Sequence, residues 1–320
     1  MTPAGYVLRP PTRDELPQVQ LLLDAVETDA CGEPCRYDTD VVVMAAARRL
    51  DLERDAWVVV AFDGSLAGCA WLWPMREGDT DTEFVAEHYV HPAHRDGAVD
   101  DALIDAIEGR VTHRRAEMPL MTSLVLNCEE RDARRRASLQ ARGYEHVRDF
   151  YSMRIDVAPG RPPASWPAGI EVRPIRPGVD DRAAHAASEE AFAEHYLFGP
   201  QPFEEWRACT LERNECDPSL WLLAWDGGEV AGQVWALARD EGGPALAGLV
   251  EDLSVRKPWR GQGLGLALLG EVFRLLGERG CAVVRLWVDA QNTTGALQLY
   301  ERAGMRQERH VMDFERPLPS

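Results

Sequence analysis

The chain repeats itself. Tyr6-Val7-Leu8-Arg9-Pro10 matches Ile170-Glu171-Val172-Arg173-Pro174, Trp57–Ala61 matches Trp221–Trp225, and Ala67-Gly68 with Trp71 matches Ala231-Gly232 with Trp235, all at one offset. A repeat this long, in two copies, excludes a solenoid, whose units are short and many. It demands two similar domains. Each half opens with a strand, continues through a helical region, and reaches a hairpin that turns at Asp63-Gly64 or at Asp226-Gly227-Gly228. Strands and helices then alternate, which predicts a mixed α/β class. Between the halves, Ala158-Pro159-Gly160-Arg161-Pro162-Pro163-Ala164-Ser165-Trp166-Pro167 continues neither a helix nor a central strand. The predicted organisation is a first domain over 1–157, a Pro-rich linker over 158–168 and a second domain over 169–320.

The chemistry-bearing stretch lies in the second half. Glu251-Asp252-Leu253-Ser254-Val255 is a short strand-like run. It ends in Arg256-Lys257-Pro258-Trp259-Arg260-Gly261-Gln262-Gly263-Leu264-Gly265, and an amphipathic helix follows. Alternate glycines let the backbone approach a ligand closely, and the N–H groups of a helix start favour phosphate. A dinucleotide fold needs G-x-G-x-x-G with an acidic residue about twenty positions on, but here Glu278 falls inside a helix; a Walker loop needs Gly-Lys-Ser/Thr, which is absent. After the loop come a strand from Cys281 to Val288 and a helix from Asn292 through Tyr300 to Gly304.

These elements resemble the acyl-CoA-binding half of the GNAT superfamily of N-acetyltransferases, whose loop reads Arg/Gln-x-x-Gly-x-Gly/Ala; here that is Arg260, Gly263 and Gly265. The resemblance implies two tandem GNAT-like domains, each a twisted, mostly antiparallel sheet flanked by helices. It implies acetyl-CoA as co-substrate, held by the backbone of Leu253, Ser254 and Val255, by the loop Arg260, Gly261, Gln262, Gly263, Leu264 and Gly265, and by Asn292. It gives Glu251 or Asp252 the role of general base, with Glu251 favoured because similar polyamine acetyltransferases carry a Glu-Asp pair before the loop. Tyr300 becomes the acid that protonates the departing thiolate, and the Leu253 N–H the oxyanion donor. Strand alternation sends the two carboxylates to opposite faces, unless a bulge intervenes. Glu194, His195 and Tyr196 lie in the region that shapes the acceptor pocket in this superfamily. Cys281 opens a strand with no histidine near it in sequence, which argues against an acyl-enzyme nucleophile.

In the first half Arg95 matches Arg260, but Ala98 and Asp100 replace Gly263 and Gly265, and Leu139 stands for Tyr300. A Cβ at a point of close approach and a carboxylate near a pyrophosphate both oppose binding. The second half is therefore expected to carry the activity and the first to act as scaffold or pocket wall, the alternative being that the first still binds CoA without catalysing transfer. Among tandem members the arrangement resembles mycothiol synthase and its relatives, which acetylate the cysteinyl amine of a pseudodisaccharide thiol precursor. This chain departs from them in having Leu249 where they carry an acidic residue.

The expected function is acyl-CoA-dependent N-acyl transfer, most simply of acetyl to a primary amine of a small molecule. The alternative is a non-catalytic acyl-CoA-binding or sensor protein, which needs neither the acidic pair nor Tyr300. A net charge of −18 argues against a nucleic-acid partner. No apolar run suggests a signal peptide or membrane span, so a cytoplasmic protein is expected, as monomer or homodimer. The seven cysteines are odd in number and scattered; Cys31 and Cys35 have no second pair, so neither a disulfide framework nor a metal site is expected.

Overall fold

A computed structural model describes residues 4–32, 45, 50–73, 82–95, 97–117, 121–193, 195, 199–241, 243–292 and 294–318. The chain divides into two compact units, Met1–Phe150 with Arg309–Ser320, and Tyr151–Glu308. This partition differs from the sequence boundaries at two long strands. The last strand begins in the second unit and finishes in the first, and residues 151–157 belong to the second unit rather than the first.

The first unit contains β1 (Tyr6–Arg9), α1 (Leu16–Cys31), β2 (Ala56–Ala61), β3 (Leu66–Leu72), β4 (Thr82–Val90), α2 (Ala98–Glu117), β5 (Met121–Glu129) and α3 (Ala133–Ala141). The early part of β6 (Glu145–Asp156) and the later part of β12 (Arg306–Pro317) complete it. β1 through β4 pair antiparallel in sequence order, β4 pairs β5 in parallel, and β12 pairs β5 antiparallel from Val311↔Glu129 to Pro317↔Ser123.

The second unit follows the same plan with β7 (Ile170–Pro174), α4 (Asp181–Phe192), α5 (Phe203–Cys209), β8 (Trp221–Asp226), β9 (Glu229–Arg239), β10 (Leu246–Val255), α6 (Leu264–Glu278), β11 (Cys281–Asp289) and α7 (Ala296–Arg302). Its strands run in the order β6-β11-β10-β9-β8-β7, with β10–β11 parallel and β7 through β10 antiparallel. The first strand of each unit is tied to the helix region after it by an arginine: Arg9 to Glu15 at 2.8 Å, and Arg173 to Asp180 at 2.7 Å.

Helix α6 shows why the sheet of the second unit closes on one side. Leu264, Leu268, Leu269, Val272, Phe273 and Leu276 recur at helical spacing and are all buried. They pack on Leu222, Ala224, Val234, Ala236, Val250, Val284 and Leu286 of the sheet. Each such side chain stabilises by about 1.5–3 kcal/mol when fully buried. The opposite face is covered by Ala184 and Ala187 of α4 and by Trp206, which meet Trp221, Leu223, Trp235 and Leu237. The Pro-rich segment 158–168 has no helix or strand and lies along α6. Arg161 stacks over Phe273 at 5.5 Å, the Ala164 N–H donates to Glu271 at 3.0 Å, and Ala158 sits so close to Gly277 that a Cβ there would fall 2.7 Å from its carbonyl oxygen.

Candidate active site

A gap opens where β10 leaves β11. Their parallel ladder ends at Leu249↔Arg285, whereas the ladder to β9 continues to Val255↔Gly232. Beyond Leu249 the β11-facing edge of β10 is therefore free of its former neighbour, leaving backbone groups that can pair with an extended ligand arm. At this fork Arg285, 2% exposed, binds Glu241 at 3.1 Å and Glu308 at 2.9 Å. The gap is part of a cleft of about 450 Å³, lined by Val250, Glu251, Leu253, Ser254 and Val255 of β10 and Leu286–Asp289 of β11. Its other walls are the end of α4, the glycine loop and α7.

The glycine loop caps α6. Gly261 and Gly263 have φ of +75° and +84°, the left-handed region in which glycine is favoured, and nothing lies within 4 Å of a Cβ built on either. Gly265 is held to its residue type differently: a Cβ there would stand 3.2 Å from Leu299 of α7. Gly261, Gly263, Leu264 and Gly265 line the cleft, and Gly263 immediately precedes the first turn of the 15-residue α6. This is a cradle for phosphate with open space above it, so the residues present fit an acyl-CoA pyrophosphate. Gln262 is not among the lining residues; its Nε2 donates to the Pro258 carbonyl at 3.1 Å. Arg260 lines the cleft and donates to the carbonyls of Val255 at 2.9 Å and Ala191 at 3.2 Å.

The acidic pair sits in a β-bulge. The β9 register steps from Val250↔Ala236 to Asp252↔Trp235, leaving Glu251 as the extra residue. Simple alternation therefore fails here. Glu251 meets Arg239 and Asp252 meets Gln233, and those two β9 partners lie an even number of residues apart, so both carboxylates point to the α4 side of the sheet. Glu251 lines the cleft with its Oε1 held by Arg213 at 3.2 Å and Arg239 at 3.3 Å. Asp252 lies behind it. Its Oδ2 accepts from Ser188 at 3.0 Å and Gln233 at 3.5 Å, and its Oδ1 is shielded from solvent. Burial pushes the Asp252 carboxyl up to about 6, against the hydrogen bonds of Ser188 and Ser254, with the charge of Glu251 adding to the rise.

Tyr300 is 8% exposed, packs in the α6 core and also lines the cleft. Burial, and then the nearby charge of Asp252, push its phenol pKa up, so it remains protonated through neutral pH. Asn292 lines the cleft and accepts from the Thr294 N–H at 2.7 Å, so its side chain serves the local backbone. His195 lines the cleft beside the end of α4, edge-on to Phe192 with ring centroids 5.7 Å apart. Glu194 and Tyr196 lie outside the described residues, as does Cys35. Burial raises the Cys281 thiol to about 11, which makes it a poor nucleophile at neutral pH. Among the described residues no cluster of three metal-ligating side chains occurs.

Four polar partners of the acidic pair carry no local sequence signal. Ser188 is on α4, Arg213 in the turn after α5, and Gln233 and Arg239 on β9. The nearest available hint is position: Gln233 interrupts and Arg239 ends the otherwise apolar run that starts at Val230, and both are buried.

The first unit fills the corresponding place with its own side chains. Aligned through Arg95/Arg260 and Gly143/Gly304, His88, Asp100 and Arg135 stand where the second unit has the cleft-lining Leu253, Gly265 and Ala296. His88 Nε2 lies 3.3 Å from Asp100, and Arg135 2.6 Å from it, with all three side chains buried or nearly so. Burial alone would raise Asp100, but Arg135 and His88 outweigh it and hold the carboxyl far below its usual range.

Comparison with known proteins agrees with this geometry. Residues 184–305 match the family model described as Acetyltransferase (GNAT) family. The chain is 33% identical over 310 residues to a mycothiol acetyltransferase of Catenulispora acidiphila, covering 93% of this chain and 94% of that protein. Among solved structures it is similar to a GCN5-related N-acetyltransferase from Sphaerobacter thermophilus, with a TM-score of 0.77, 31% identity, and coverage of 99% of this chain and 97% of that one. A tandem GNAT protein from the clavulanic acid biosynthesis pathway shares the fold, with a TM-score of 0.67 at 19% identity over 98% and 99% of the two chains. No helix among the described residues is long and apolar enough to cross a membrane. The repeat, the splayed strands and the glycine cradle thus have one common account: the chain belongs to the GNAT family of acetyltransferases and is an N-acetyltransferase of tandem type.

Proposed function

We propose that the second unit transfers acetyl from acetyl-CoA to a primary amine of a small molecule by direct attack, with Asp252 as general base and Tyr300 as general acid. When bound, acetyl-CoA supplies the activated thioester; the edge of β10 and the cradle Gly261–Gly265 hold its arm and phosphates. An alkylamine is mostly protonated at neutral pH and must lose a proton before it attacks. Glu251, at the cleft wall, anchors the incoming ammonium through the carboxylate oxygen that its two arginines leave available. Asp252, tuned to about 6, accepts the proton through a water or the Ser254 hydroxyl. The Tyr300 phenol, kept protonated by its surroundings, gives a proton to the departing thiolate.

The observation that carries this reading is the bulged Glu251-Asp252 pair at the open edge of β10, with Tyr300 lining the same cleft. A cofactor sensor needs no such acid and base. The name of the curated relatives makes a mycothiol precursor amine the first acceptor to test, and the departure at Leu249 makes it necessary to test others beside it. The experiment is acetylation of a panel holding a cysteinyl pseudodisaccharide, a polyamine and an aminosugar, with acetylated products identified by mass spectrometry. Acetyl-CoA binding with no acetylated product from any primary amine would favour the sensor.

A further inference from the structure

The loop arginine of this family pattern sits beside the glycine loop, and two of its hydrogen bonds run to backbone carbonyls outside it. Arg260 Nε donates to the Val255 carbonyl, at the end of β10, and an Nη donates to the Ala191 carbonyl in the last turn of α4. The last carbonyls of a helix lack intrahelical partners and carry partial negative charge, so a guanidinium there is favoured. Two further contacts fasten the same turn of α4. Arg256 binds Glu190 at 2.7 Å, and Ser188 donates to Asp252. Phe192, the last residue of α4, and His195 just after it line the cleft, on the side that the proposed reading gives to the acceptor.

The repeat supplies an independent control. The first unit has Ala98 and Asp100 in place of Gly263 and Gly265, but Arg95 is retained and reaches Asp29, close to the end of α1, at 2.5 Å. α1 occupies in the first unit the place of α4 in the second. The arginine thus reaches the end of the first helix in both units, including the one whose cradle is gone.

Resting on the acetyl-CoA reading of the cleft, we infer that Arg260 is a positioning residue that ties the end of α4 to the cofactor loop, so that ordering the loop also sets the acceptor wall. It acts on the acceptor through α4 and touches neither reacting atom. The contact couples two walls of one cleft: a loop that moves on binding CoA carries the Ala191 carbonyl, and with it Phe192 and His195.

The test is hydrogen exchange on the full chain, with and without CoA, for wild type, Arg260→Met and Arg260→Lys, alongside CoA titration by calorimetry. Without CoA, Arg260→Met is expected to speed exchange in 186–193 by about tenfold, the scale of losing hydrogen bonds to a charged donor, while α6 stays protected. Arg260→Lys, which keeps the charge but loses the fork, should fall between the two. CoA should slow exchange in both 186–193 and 261–267 in wild type, and in 261–267 alone in Arg260→Met, with CoA affinity within about threefold of wild type. Unchanged exchange in 186–193 for both variants overturns the tie, and with a tenfold or greater loss of CoA affinity makes Arg260 a phosphate ligand. Equal slowing of 186–193 by CoA in wild type and Arg260→Met overturns the coupling. If wild type binds no CoA, the acetyl-CoA reading and the coupling both fail, and the comparison without CoA separately decides whether Arg260 holds α4.

Discussion

Arg135 stands 2.6 Å from Asp100, at the place where the second unit has Ala296 and Gly265. In one repeat the position near the helix start is empty of side chain and lines a cleft; in the other it holds a buried ion pair. His88 closes the cluster at 3.3 Å. The loss of glycines in the first unit is thus only half of the change. At the positions aligned with Leu253, Gly265 and Ala296 the first unit also carries a buried charged cluster, which opposes a ligand there. Removing one partner of such a pair strands the other in a buried site, which typically costs about 3–5 kcal/mol.

The chain should therefore bind a single equivalent of acetyl-CoA. Calorimetric titration should give that stoichiometry, and Gly263→Asp should abolish binding, because Gly263 has φ +84° and a carboxylate would face the phosphates. Ala98→Asp should leave the titration unchanged. Two equivalents for wild type, or equal losses from both substitutions, would refute the assignment of one working unit.

The rate should rise with pH through about 6 if Asp252 takes the amine proton. Asp252→Asn should remove that limb and lower turnover about 10²–10⁴-fold, whereas Glu251→Gln should mainly raise the acceptor KM. Stability gives a second signature. The folded carboxyl titrates near 6 and an unfolded one near ~3.9, so the native state holds the extra proton between them. The charge penalty is absent below the lower value and complete above the higher. The melting temperature of Asp252→Asn relative to wild type should therefore climb from pH 4 to pH 7. A gap that stays constant across that range would show that Asp252 is not buried as described.

Much of this was readable in the sequence. The offset between halves, the loop from Arg260 to Gly265 and the strand and helix after it are local patterns of spacing, and the structure keeps them as such. The bulge was not readable, because an extra residue on one strand shows only against its partner: nothing in Val250-Glu251-Asp252 says that Asp252 pairs with Trp235. The polar neighbours Ser188, Arg213, Gln233 and Arg239 come from three other segments, and His88, Asp100 and Arg135 from three more. Their meeting is a product of topology. The last strand was hidden for the same reason, since Arg306–Pro317 reads as the end of its own repeat while its register with β5 joins it to the other.

Arg285 should be worth more to the fold than its place on an unremarkable strand suggests. It is the last β11 residue paired with β10, and it neutralises Glu241 and Glu308, themselves largely buried. Arg285→Met keeps the bulk and leaves two carboxylates without that charge. Urea unfolding should show a loss of about 3–5 kcal/mol. A loss under about 1 kcal/mol, the scale of an exposed ion pair, would mean that the fork between the strands is held by packing alone.

Tyr300 poses the sharpest separation of chemistry from structure, because it is at once a core residue and a cleft residue. Tyr300→Phe keeps the ring among Leu264, Val288 and Met305 and removes only the hydroxyl. The phenol's pKa is raised by burial and by the charge of Asp252, so wild type should show no loss of activity from phenol ionisation up to at least about pH 9. As an acid for the leaving thiolate, the hydroxyl acts in the transition state more than in the bound ground state. Its removal should lower turnover by roughly tenfold or more while leaving acetyl-CoA affinity and the melting temperature near wild type. A thioester with a more acidic leaving thiol needs less protonation and should recover part of the rate. Full turnover in Tyr300→Phe, or a failure explained by unfolding, would make Tyr300 a packing residue and leave solvent as the proton source.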